Sequence, residues 1–236
     1  ELGFVSDFTN LRLISENAVN TLVDQKVMGR NLSIDANIVG TENRAFQMAV
    51  EQLEAELQQA WIRQEGDVYL GNVTASEQFV FSSDDRILAH DETMVRSALL
   101  VLSAESIGST GQLLGLQVDA LDLQSTGDVH LYAIDDLTVT SMVVENNAEL
   151  EVAGRLSMGS DETMTIGQHA QISAENVGSS GKFFALEAAS TDIGVQQGAW
   201  LLVQEGTQLG HLEASDMYLN SDADMNMAPD GLIVAE

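Results

Sequence analysis

The sequence predicts an all-β chain wound as a parallel β-solenoid. Three observations carry this: a unit of about 70 residues that returns, short alternating apolar segments inside it, and a single proline in 236 residues. A fixed internal period changes what every segment means, so repetition comes before local propensity. Leu102-Ser103-Ala104-Glu105-Ser106-Ile107-Gly108-Ser109-Thr110-Gly111 returns 70 positions on as Ile172-Ser173-Ala174-Glu175-Asn176-Val177-Gly178-Ser179-Ser180-Gly181. Leu116 then falls on Leu186, Leu123 on Ile193, Leu131 on Leu201 and Val139 on Leu209. A diverged earlier copy places Val39-Gly40 at an offset of 68 from Ile107-Gly108.

The first and third copies share a second signature. Ala60-Trp61, Gln64-Glu65-Gly66, Leu70-Gly71 and Ala75-Ser76 return in order as Ala199-Trp200, Gln204-Glu205-Gly206, Leu209-Gly210 and Ala214-Ser215. The chain reads as one solenoid segment, with 1–31 as the end of a preceding unit and repeats at 32–100, 101–170 and 171–236.

Alternating segments recur at Leu102-Ser103-Ala104, Leu121-Asp122-Leu123, Leu137-Thr138-Val139, Leu156-Ser157-Met158 and Ile172-Ser173-Ala174. Apolar residues at every second position predict strands with one buried face. A Ser or Asn follows each segment, at Ser106, Ser125, Ser141, Ser160 and Asn176, and is expected to stack at corners where side chains satisfy turn backbone. A rhythm of 16 to 23 residues gives about ten to thirteen turns, with almost no proline to interrupt the ladders.

Residues 45–61 test this reading. Good helix formers place Phe46, Val50, Leu53 and Leu57 on one helical face. Yet Phe46, Met48, Val50, then Leu53, Ala55, Leu57, also alternate, and they align with Leu114, Leu116, Val118 and Leu121, Leu123, Ser125. That later copy has no credible helix, and homologous positions share a conformation, so the segment is assigned to strand. No amphipathic cap covers either end, as expected of a segment of something longer.

Composition removes several functions. There are 37 acidic and 9 basic residues, a net charge of −28, and no cysteine. Nucleic acid and anionic membrane surfaces are excluded as partners because neither phosphate nor lipid headgroup meets a cluster of cations. No apolar run is long enough to span a bilayer. Thiolate metal sites, disulfides and cysteine nucleophiles are absent from the alphabet.

The carboxylates suit a solvated acidic surface, or Ca2+ at turns, with Asp84, Asp85, Asp222 and Asp224 as candidate ligands because Ca2+ takes six to eight oxygens. Asp222-Ala223-Asp224-Met225-Asn226 has the first half of a calcium loop without its glycine or distal glutamate. His90, His130, His169 and His211 lack metal-ligand spacing and read as face or turn residues. Trp61 and Trp200 are ladder residues, or exposed platforms for sugars. Met142, Met158, Met164, Met217, Met225 and Met227 read as core filler. No nucleophile elbow, phosphate loop or dinucleotide fingerprint is present. The acid pairs Asp84-Asp85 and Asp135-Asp136 place neighbours on opposite strand faces, so no catalytic residue is assigned.

The pattern apolar-x-Ala-x-x-Ile-Gly-Ser-x-Gly (102–111), the alternating stretch 118–125, Gly127-Asp128-Val129-His130-Leu131 and Asp136-Leu137-Thr138-Val139 resembles the repeats of filamentous haemagglutinin-like proteins and other giant bacterial surface adhesins. The resemblance covers about 36–227. It implies a right-handed parallel β-helix, export to the cell surface or exterior, a non-catalytic role as stalk or adhesive filament, and no cofactor. The partners it implies are further copies or neighbouring repeats, surface glycans, or proteins of another cell. The alternatives are a Ca2+-dependent carbohydrate-binding module and a β-helical polysaccharide lyase or hydrolase.

Overall fold

The computed structural model describes residues 2–159, 162–221 and 226–235. The fold is a parallel β-solenoid of about 11 turns, 79% strand, with no helix among the described residues. The chain divides into two compact units, Glu1–Val118 and Asp119–Glu236.

The first unit carries β1 (Val5–Val19), β2 (Val27–Val39), β3 (Phe46–Gln64), β4 (Val68–Ser83), β5 (Arg86–Ala89), β6 (Met94–Ala104) and β7 (Ser106–Ile107); the division falls inside β8 (Leu114–Ser125). Leu11, Leu32, Leu53, Leu70 and Ala89 sit opposite one another on successive strands, and all but Leu11 are buried. A second ladder runs Val19, Val39, Ala60, Phe79, Leu100. Each buried Leu or Phe contributes about 1.5–3 kcal/mol, so these columns hold neighbouring turns together.

The second unit continues with β9 (Val129–Ala133), β10 (Leu137–Val144), β11 (Ala148–Met158), β12 (Met164–Val177), β13 (Phe184–Val195), β14 (Gly198–Val203), β15 (Gln208–Ala214), β16 (Asp216–Ser221) and β17 (Asn226–Ala235). One six-residue ladder there is Val129, Ala148, Ala170, Thr191, Leu209, Met227. Thr191 is fully buried there, and its hydroxyl donates to the Ala170 carbonyl at 3.1 Å, which satisfies the polar group.

Residues 46–61 are strand, as the repeat demanded. Phe46, Met48, Val50, Leu53, Ala55 and Leu57 are all buried, with outward residues between them. The 19-residue strand bends at bulges, where its pairing with β4 shifts between Leu53 and Ala55 and between Leu57 and Gln59. Helix propensity loses because a helix would forfeit the ladders on both flanks.

The three copies of the repeat share a backbone device. Gly40, Gly108 and Gly178 have φ of +67°, +68° and +68°. Each amide donates to the preceding turn, to the carbonyls of Val19, Ile87 and Leu156 at 3.0, 2.8 and 2.8 Å. A tight turn follows in which Thr41 and Arg44, Ser109 and Gln112, and Ser179 and Lys182 exchange two backbone hydrogen bonds. A Cβ on Gly40 would strike the Trp61 carbonyl and the Phe46 amide; on Gly178 it would strike the Trp200 carbonyl. The glycine therefore answers both the left-handed φ and the close approach of the next turn.

Two sequence expectations are corrected. The Ser and Asn series does not form one stack: Ser141 lies opposite Asp122, Ser125 opposite Val144 and Ser106 opposite Arg86. The spacing of the alternating segments is not the coil length: Leu121 pairs with Val139, 18 positions on, and Leu156 with Val177, 21 positions on, not with Ile172. Ser160 and Met225 lie outside the described residues. Met142, Met158 and Met164 are core, but Met217 is half-buried and Met227 is exposed.

Candidate functional site

With the apolar residues turned inward, any function is presented by outward side chains on the strand ladders. Several of these are engaged with the adjacent turn. Asp67, Asp128, Asp136 and Asp192 each accept, through Oδ1, the backbone N–H of the residue 19 positions later: Arg86 at 3.2 Å, Asn147 at 3.1 Å, Arg155 at 2.8 Å and His211 at 2.6 Å. A carboxylate from one turn thus satisfies an amide of the next. Asn72 and Asn176 do the same for Met94 and Gly198 at 3.2 and 3.3 Å.

The charge is uneven. Residues 1–118 hold 7 basic and 17 acidic side chains, and residues 119–236 hold 2 and 20. The first unit can therefore neutralise carboxylates with cations, as in Arg30–Glu51 at 2.9 Å, Lys26–Glu65 at 2.5 Å and Arg63–Asp84 at 3.2 Å. In the second unit the side-chain partners include histidines: His130 Nδ1 lies 2.8 Å from Glu149, His169 Nδ1 2.9 Å from the Ser190 hydroxyl, and His211 Nε2 3.4 Å from Glu213.

Asp84 and Asp85 occupy the exposed turn between β4 and β5. Asp84 faces Arg63, and the Asp85 amide donates to the Ser83 hydroxyl at 3.3 Å. Asp222 and Asp224 lie outside the described residues. Among the described residues no three His, Asp or Glu side chains gather as a metal site.

Trp61 and Trp200 hold equivalent places, since Ala60 pairs with Val39 and Ala199 with Val177. Both are half-buried on the outer face. Trp200 stacks on Tyr218, its in-register neighbour, with centroids 5.4 Å apart and planes at 5°. Trp61 instead faces Val80, so the two tryptophans do not make the same platform.

A further concave feature involves residues that sequence reasoning left unassigned as a group. Asn10, Asn31, Gln52, Tyr69 and Leu88 form one outward column across β1 to β5. Tyr69 is stacked face to face on His90, with centroids 4.3 Å apart and planes at 8°. Beside them run the Arg30–Glu51 pair and Arg86, whose guanidinium engages both oxygens of Asp67. The hydrogen bond from Arg86 holds the Asp67 carboxyl below its ordinary value near 3.8. A groove of about 420 Å³ lies over this surface. The 21-residue separation of Tyr69 and His90, close to one solenoid turn, is the sequence signal that could have paired them.

The chain matches no protein-family model, no curated protein and no solved structure.

Proposed function

We propose that this chain is a non-catalytic structural and adhesive repeat segment of a large secreted or cell-surface bacterial protein, serving as a rigid stalk or filament. The observation that carries this reading is where the outward polar groups go. Asp67, Asp128, Asp136 and Asp192 spend an oxygen on the next turn's backbone, so acidic residues that look available in sequence act as ties between turns. Catalysis at a glycoside would ask for a carboxyl with a raised pKa. Asp67 is instead held low by its guanidinium partner. The resemblance to filamentous haemagglutinin-like repeats supports the same role, because its Ile-Gly-Ser-x-Gly motif coincides with the tight turn after Gly108. Exterior location, partners among neighbouring repeats or cell surfaces, and freedom from a cofactor belong to this reading.

A thermal melt followed by circular dichroism, after exhaustive chelation and at matched ionic strength, tests it. A transition indifferent to millimolar Ca2+ is expected of a passive spacer. A rise of many degrees with Ca2+ would overturn the cofactor-free reading, because a ligand bound by the folded state alone raises its stability.

A further inference from the structure

We propose that the groove over Tyr69 and His90 binds an uncharged oligosaccharide lying along the column of outward residues, with a sugar ring seated on the aromatic stack. The inference stands apart from the spacer reading and survives its failure. Four features of the groove lead to this ligand class.

First, the stack presents a flat apolar face at the surface. His90 is exposed, and its ring lies parallel to Tyr69, so a ligand with a flat C–H face can continue the pile. Second, polar groups beside it are unspent: the side-chain amide of Gln52 and the hydroxyl of Tyr69 make no hydrogen bond to any described residue. An amide offers a donor and an acceptor together, which suits neighbouring hydroxyls. Third, the fixed charges cancel locally. Arg30 faces Glu51 and Arg86 faces Asp67, so the groove is neutral within a chain of net charge −28. An anionic sugar or nucleotide meets repulsion from the surrounding field with no free cation at the site to offset it. The acidic groove along Glu16, Asp35 and Glu56 lacks both the aromatic stack and this balance.

Fourth, the site is elongated. Asn31, Gln52 and Tyr69 occupy successive strands, spaced at about 4.8 Å. The column selects an extended chain of sugars over a single compact one. A volume of about 420 Å³ is in the range of small-ligand sites.

Isothermal titration calorimetry of the whole chain with cellohexaose, laminarihexaose, mannohexaose and chitohexaose tests the proposal, with polygalacturonate and indole as acidic and purely aromatic comparisons. At least one neutral hexasaccharide is expected to saturate the protein in the millimolar range or below. His90→Ala and Tyr69→Ala are each expected to weaken it at least about tenfold, while Trp200→Ala leaves it unchanged. His90 is exposed, so its removal spares the fold; if Tyr69→Ala lowers the melting temperature, His90→Ala alone decides. The proposal is overturned if none of the four neutral probes saturates, if binding survives His90→Ala, or if polygalacturonate or indole binds in preference.

Discussion

The side-chain amide of Gln64 brackets the backbone of Val50: its Oε1 accepts the Val50 N–H at 3.2 Å and its Nε2 donates to the Val50 carbonyl at 2.9 Å. Gln64 is 1% exposed, so this is a polar strut inside an apolar core. The third repeat solves the same problem differently, with the buried Thr207 hydroxyl accepting the N–H of Ala188, which aligns with Val50, at 3.1 Å. Gln64→Leu removes both bonds at once. The expected cost is about 1–3 kcal/mol, seen as a lower denaturant midpoint. An unchanged midpoint would mean that the Val50 groups find other partners.

Asp136 ties two turns through an acceptor, not through its charge. Asp136→Asn keeps an oxygen for the Arg155 amide and relieves self-repulsion in a strongly acidic unit, so its melting temperature should equal or exceed that of the parent. Asp136→Ala should lose about 0.5–1.5 kcal/mol. If both substitutions shift the melt alike, the tie is not what matters there.

Inward and outward neighbours on β8 should respond oppositely. Leu123 is 1% exposed and Gln124 is exposed. Leu123→Asp buries a carboxylate without a partner and should abolish the cooperative thermal transition of the second unit. Gln124→Asp should stay within about 0.5 kcal/mol. Equal effects in urea melts would place Leu123 outside the core.

Two glycines with left-handed φ separate conformational strain from collision. Gly206 has φ +90° and open space around its missing Cβ, so Gly206→Ala should cost about 1–2 kcal/mol. Gly178 has φ +68°, and a Cβ there meets the Trp200 carbonyl, so Gly178→Ala should cost clearly more. Calorimetric melts of the two variants give the order directly.

The Asp67–Arg86 pair predicts a pH dependence with a definite sign. Asp67 has a lowered pKa in the folded chain, so the pair's stabilisation is present above the ordinary carboxylate value and lost as pH falls through the lowered one. A double-mutant cycle with Asp67→Asn and Arg86→Gln should therefore show a coupling at neutral pH that shrinks as pH falls below the ordinary carboxylate range. The pair is half exposed, so the coupling is small and weakened by salt. A coupling that grows on acidification would contradict the assignment.

The solenoid is legible in sequence because its core is built by period. Strand alternation marks which side chains turn inward, and the 70-residue return of Ile107-Gly108 as Val177-Gly178 shows the same backbone turn used again. Even the helix-prone stretch 46–61 reads correctly as strand, since the aligned copy at 114–125 can only be strand. The register between turns is not legible. Leu53 lies 17 residues from its partner Leu70, while Val177 lies 22 from Ala199, because bulges and loops lengthen or shorten each coil.

That variable register decides everything on the outer face. Sequence alone determined the fold class, most of the apolar inward residues and the acidic charge, because hydrophobic alternation and composition are local or additive properties. Only the tertiary structure decided that Tyr69 lies on His90, that Trp200 meets Tyr218 while Trp61 meets Val80, and that Asp67, Asp128, Asp136 and Asp192 reach the next turn's amides. In a solenoid, residues about one coil apart become neighbours, and a shift of one residue in coil length changes which side chains meet.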